Sequence, residues 1–120
     1  LKQFGGEEPK EHDDFLTRYI EIVKANISNP ELDVSVIYEA LGMSRTNFYR
    51  KVKTVTGLSP IELIKNIRLE AGAKLLKESD MNISEIAQHI GFSSRSYFAR
   101  SFKAVYGMSP TEYQETKSQD

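Results

Sequence analysis

The stretch NISEIAQHIGFSSRSYFARSFKAVYGMSPTEY runs from Asn82 to Tyr113. DVSVIYEALGMSRTNFYRKVKTVTGLSPIEL, from Asp33 to Leu63, repeats its plan. Residues 33–44 align with 82–93 at an offset of 49, and 44–63 align with 94–113 at an offset of 50. One added serine in Ser93-Ser94 accounts for the slip. Matched identities include Ser35/Ser84, Ile37/Ile86, Gly42/Gly91, Arg45/Arg95, Phe48/Phe98, Arg50/Arg100, Lys53/Lys103, Gly57/Gly107 and Pro60/Pro110. Agreement in register over this length is an internal duplication.

Each copy reads as a helix, a glycine turn and a second helix. A short amphipathic helix (34–41 or 83–90) stops at Gly42 or Gly91. The next helix starts near Ser44 or Ser94 and stops at Gly57 or Gly107. Glycine just beyond a helix end adopts the left-handed backbone that other residues reach only with strain. Ser59 and Ser109 then open a third helix as N-caps, with Pro60 or Pro110 at N1 and Glu62 or Glu112 reaching back from N3. That is a capping box with proline at the first helical position, and a cap is worth about 1 kcal/mol.

The helix framed by these signals has two faces. Phe48, Val52 and Val55 recur at i, i+4 and i+7, as do Phe98, Phe102 and Val105, and are expected to form a buried stripe. Thr46, Tyr49, Arg50 and Lys53 fall on the other side of the first helix, and Arg95, Ser96, Ala99, Arg100 and Lys103 on that of the second. Such a face suits the major groove of DNA, where arginine can donate a bidentate pair to guanine and lysine meets phosphates. A charged face on one helix is ordinarily just solvated. Two copies, each behind a glycine turn and with matched Arg and Lys, favour DNA.

Charge is distributed to match. The chain carries a net charge of −1. Residues 1–33 hold four basic and eight acidic residues, whereas 34–68 hold six basic and two acidic. Residues 91–107 hold Arg95, Arg100 and Lys103 and no acid.

Between the copies, 59–79 reads as one continuous helix, with apolar residues at 61, 64, 67, 71 and 75. About eighteen of these residues at 1.5 Å each span roughly 27 Å, against about 34 Å for one turn of DNA. Gly72 inside it, flanked by Ala71 and Ala73, marks a close helix crossing. Ahead of the copies, Phe15, Tyr19, Ile22, Val23 and Ile27 are spaced as a helix that Asn29-Pro30 should end. The expected division is 1–13 as a polar linker or tail, 14–58 as a first helix-turn-helix subdomain, 59–79 as a linker helix, and 80–120 as a second subdomain.

An enzyme is not indicated. His12, in the tail, and His89, on a short helix, are the two histidines, and neither has a triad or metal cluster around it. Glu7-Glu8 and Asp13-Asp14 read as solvated charge, and nothing calls for a cofactor. The chain has no cysteine, which excludes disulfides and agrees with a cytoplasmic setting. No run of eighteen apolar residues suggests a membrane span. A start at Leu1 rather than Met is expected of a piece cut from something larger.

Over about Phe15 to Glu115 the sequence resembles the AraC/XylS family of bacterial transcription regulators, most specifically in the motif from Asn82 to Tyr113. The resemblance implies an all-α fold of seven helices, with two helix-turn-helix units joined by a long linker helix. It implies that both recognition helices enter successive major grooves on one face of double-stranded DNA. By position it puts base contacts on Arg45, Thr46, Tyr49 and Arg50 in the first unit, and on Arg95, Ser96, Ala99 and Arg100 in the second. Ala99 can offer only a methyl group. Lys51, Lys53 and Lys103 look like phosphate contacts. Tyr38 stands where the second unit has the small Ala87, so the first unit should either pack more openly there or turn the ring to the surface.

The stretch LGMSRTNFYRKVKTVTGLSP is similar to family members fused behind a two-component receiver domain. That implies an upstream regulatory domain in a parent chain, itself cytoplasmic or membrane-anchored. It also implies RNA polymerase as a further partner and a monomeric isolated domain. The competing reading is a helical protein-interaction module that keeps the fold without binding DNA.

Overall fold

The structure, a computed structural model, describes residues 10–119, with side chains described over 14–117. The Glu7-Glu8 run and the Asp13 side chain lie outside that range. Over the described residues the chain is all-helical: α1 (Lys10–Ala25), α2 (Val34–Ala40), α3 (Arg45–Thr56), α4 (Pro60–Glu78), α5 (Ile83–His89), α6 (Arg95–Tyr106) and α7 (Pro110–Glu115), followed by a short 3-10 turn, Thr116–Gln119. His12 lies within α1 rather than in a tail.

The chain divides into two compact units. The first comprises the described residues up to Asn26 together with Leu32–Ile64, and the second comprises Ile27–Glu31 and everything from Lys65 onward. α4 therefore starts in one unit and continues in the other, and the short connection after α1 belongs to the second.

In the first unit, Phe15, Tyr19 and Val23 of α1 are buried with Ile37 of α2 and Phe48 and Val52 of α3. The Tyr19 ring stacks on Phe48, with centroids 5.6 Å apart and planes 9° apart. Its hydroxyl donates to the Pro60 carbonyl at 2.9 Å, so the aromatic body is buried while its polar tip is satisfied. α1 does not run on to Asn29-Pro30 as its apolar spacing suggests. It stops at Ala25, where the Asn26 side-chain amide donates to the Ile22 carbonyl at 2.8 Å. That bond occupies a carbonyl at the helix end and closes the helix early.

In the second unit, Leu69, Ala73 and Leu76 of α4 pack with Ile83, Ile86 and Ala87 of α5 and Phe98 and Phe102 of α6. Each fully buried phenylalanine contributes about 1.5–3 kcal/mol. Gly72 is the expected close crossing: a Cβ there would stand 2.9 Å from Ile90 Cδ1 and 3.2 Å from Phe98 Cε1.

The buried stripe departs from expectation in its last turn. Val55 is half-buried and Val105 is 56% exposed. The contacts at that end of α6 go to Tyr106. Its ring stacks on Phe102 at 4.3 Å and meets Tyr113 of α7 at 5.5 Å, leaving Val105 beyond the packed edge.

Candidate nucleic-acid interface

Backbone chemistry fixes both turns alike. Gly42 (φ 69) and Gly91 (φ 87) follow α2 and α5 in the left-handed region. Met43 N–H donates to the Tyr38 carbonyl at 2.9 Å and Gly42 N–H to that of Glu39 at 3.1 Å. Phe92 to Ala87 and Gly91 to Gln88 repeat the pair at 2.9 and 3.2 Å. This double closure satisfies carbonyls that the helix end would otherwise leave open.

Ser44 and Ser94 then cap the next helices, accepting from Asn47 N–H at 3.3 Å and Tyr97 N–H at 3.0 Å. Gly57 (φ 76) and Gly107 (φ 79) close them. Capping boxes Ser59–Glu62 and Ser109–Glu112 follow, each with reciprocal bonds of 2.8–3.2 Å. Hydrogen bonds from the Ser109 backbone and hydroxyl, and more weakly the Lys103 charge, hold the exposed Glu112 carboxyl below its ordinary value.

The solvent faces of α3 and α6 carry most of the expected residues. Arg45, Thr46, Arg50 and Lys53 are exposed on α3, and Tyr49 is half-buried. Arg45 lies over the Tyr49 ring at 4.6 Å, Arg50 Nη1 donates to Asn47 Oδ1 at 3.3 Å, and Lys53 Nζ donates to the Gly57 carbonyl at 3.1 Å. On α6, Arg95, Ser96, Arg100 and Lys103 are exposed and Ala99 is half-buried.

Lys51 stands apart from the others. It is half-buried, with its ammonium 5.0 Å over the Phe15 ring on the α1 side. Tyr38 is half-buried against Phe48 at 5.6 Å, so its ring packs into the first unit where Ala87, 2% exposed, lies in the second.

Two further residues meet at the start of α6, Tyr97 of that helix and Lys65 of α4. Tyr97 is 40% exposed on the first turn of α6, its ring 5.2 Å from Phe92 and with Lys65 Nζ 5.8 Å above it. The register of the copies held a signal, because position 97 matches the polar Asn47. The position of Lys65 had none, since it depends on how α4 packs. No group of residues suited to a metal ion occurs among the described residues, and His89 is exposed.

A family model described as a helix-turn-helix domain matches residues 37–116. Over 104 residues the chain is 36% identical to a Formosa agariphila protein named histidine kinase P4, a match covering 87% of this chain and 8% of that protein. The C-terminal domain of AraT, a response regulator from Geobacillus stearothermophilus, is 31% identical with a TM-score of 0.74, covering 85% of this chain and 84% of that one. The DNA-binding domain of AdpA, a global transcriptional factor solved in complex with a target DNA, is 25% identical with a TM-score of 0.77, covering 87% and 94%. The chain spans between 8% and 34% of the length of curated relatives it matches. With its fold, its paired turns and these matches together, the chain belongs to the AraC-type helix-turn-helix family of DNA-binding transcription regulators.

Proposed function

We propose that this chain is the output domain of a transcription regulator and binds double-stranded DNA in a sequence-specific way, with α3 and α6 entering successive major grooves. The observation that carries the reading is the match between the two helices of the duplicated motif. α3 buries Phe48 and Val52 and α6 buries Phe98 and Phe102 on one side, and each exposes Arg, Lys and a small hydroxyl residue on the other. Arg45, Thr46, Tyr49 and Arg50 read bases in one groove, and Arg95, Ser96, Ala99 and Arg100 in the next. Lys53 and Lys103 meet phosphates, and Lys51 takes a flanking one beside α1. α4, with 19 residues, is about 28 Å long. Two recognition helices in one chain make the isolated domain competent as a monomer. Likeness to a kinase and to the end of a response regulator supports an upstream regulatory domain under two-component control, in a cytoplasmic setting.

Titration with duplex selected from random sequence tests this. Binding through several phosphates should weaken by orders of magnitude between about 50 and about 200 mM salt. Salt-independent binding, or selection of no preferred sequence, would point instead to a protein-interaction module.

A further inference from the structure

Arg68 is held by carbonyls from two distant stretches of chain. From α4 its Nη2 donates to the Asn29 carbonyl at 2.6 Å and its Nη1 to the Gly91 carbonyl at 3.2 Å, while its Nε is buried without a partner. Asn29 belongs to the Ile27–Glu31 segment, and Gly91 is the turn of the second helix-turn-helix. The same segment touches that turn twice more. Ser28 Oγ donates to the His89 carbonyl at 2.6 Å, and the Gly91 Cα faces the Ile27 carbonyl with no room for a side chain.

The duplication supplies an internal comparison. At the same offset of 50, Arg68 corresponds to Arg18, Leu69 to Tyr19 and Lys74 to Lys24. Arg18, on α1, donates to the Ala40 carbonyl at the end of α2, at 3.3 Å and in an exposed position. Both copies thus send an arginine from the preceding helix to the end of the first helix of the motif. In the first copy it is a single long bond, and a Cβ on Gly42 would meet nothing within 4 Å. In the second the guanidinium fork bridges two chain segments.

We propose that Arg68 is a positioning residue for the second recognition helix: by bridging Asn29 and Gly91 it fixes the α5–α6 turn and so the direction in which α6 leaves it. The Ser94 cap of α6 lies three residues beyond Gly91, so the turn's orientation is passed directly to the reading face. The planar fork is essential, because a lysine ammonium is a point donor that does not reproduce two fixed directions. The proposal rests on the DNA-reading function above, and its test separates the two.

Amide hydrogen exchange is mapped on the whole chain without DNA for wild type, Arg68→Met, Arg68→Lys and the matched Arg18→Met. Both Arg68 variants should speed exchange about tenfold or more across 83–106, leaving 14–25 and 45–56 unchanged. In selection from random duplex, they should lose preference at the base pairs read by α6 and keep it at those read by α3. Arg18→Met should leave the α6 preferences intact. Uniform loosening of both units, full rescue by lysine, or an unchanged exchange map would overturn the assignment. If wild type selects no sequence, the DNA reading fails by itself, and the exchange map still decides whether Arg68 holds the turn.

Discussion

Gly91 and Arg68 are in contact: a Cβ on Gly91 would stand 2.9 Å from the Arg68 guanidinium carbon and collide with the Ile27 carbonyl oxygen. Its twin, Gly42, has nothing within 4 Å of the same position. Both glycines have positive φ. Gly42→Ala should therefore cost only the left-handed strain, about 1–2 kcal/mol. Gly91→Ala should add the overpacking penalty of a crowded site, about 1–3 kcal/mol more. Urea unfolding of the two variants measures the gap; equal losses would mean the second turn is no tighter than the first.

The duplication, the caps and the glycine turns were legible in the sequence because each is a local signal. Serine accepts from the third residue on, and glycine takes the left-handed backbone. The exposed faces of α3 and α6 were legible because helical periodicity assigns sides. What stayed hidden depends on distant chain. Val105 has the right spacing for burial, yet Tyr106 and Tyr113 take the available contacts. Lys51 counts as basic in any tally, but its position over Phe15 depends on where α1 runs. Arg68 read as one more charge, since its partners Asn29 and Gly91 lie 39 and 23 residues away.

Tyr19→Phe should destabilise the first unit by about 1 kcal/mol at neutral pH, because the Pro60 carbonyl loses its buried donor. The same hydroxyl couples stability to pH. Burial, and secondarily Tyr49, push the Tyr19 phenol above its ordinary value. The unfolded chain releases that proton near pH 10 while the folded chain retains it. This contribution is therefore intact below about pH 10 and is lost as pH rises beyond it. Denaturation curves from about pH 9 to 12 should fall more steeply for wild type than for Tyr19→Phe; parallel curves would remove Tyr19 as the source.

Val105→Lys should change stability by less than about 0.5 kcal/mol, as expected for an exposed helix position. Phe102→Ala, three positions earlier, removes a ring that is fully buried and contacts Tyr106 and Tyr113, and should cost about 3–5 kcal/mol. Thermal denaturation of both variants checks the burial directly. A large loss in Val105→Lys would show that the end of α6 is packed through its valine.

Arg50 and Arg100 occupy matched positions opposite the buried phenylalanines, and both are exposed. Among the described residues Arg50 makes a 3.3 Å bond to Asn47 on its own helix, so its fork is readily redirected to a guanine. Arg50→Ala and Arg100→Ala should each reduce affinity for the selected duplex by about 1–3 kcal/mol and relax preference at one base position in their own half of the site. Lys53 differs in kind. Its ammonium donates to the Gly57 carbonyl at the end of α3, where a cation also favours the helix dipole. Lys53→Ala should weaken all sequences alike and reduce the salt slope by about one. Competition binding against duplexes mutated at single positions distinguishes the two outcomes. Unchanged base preference in both arginine variants would remove α3 and α6 as the reading elements, and sequence-selective loss in Lys53→Ala would make it a base contact.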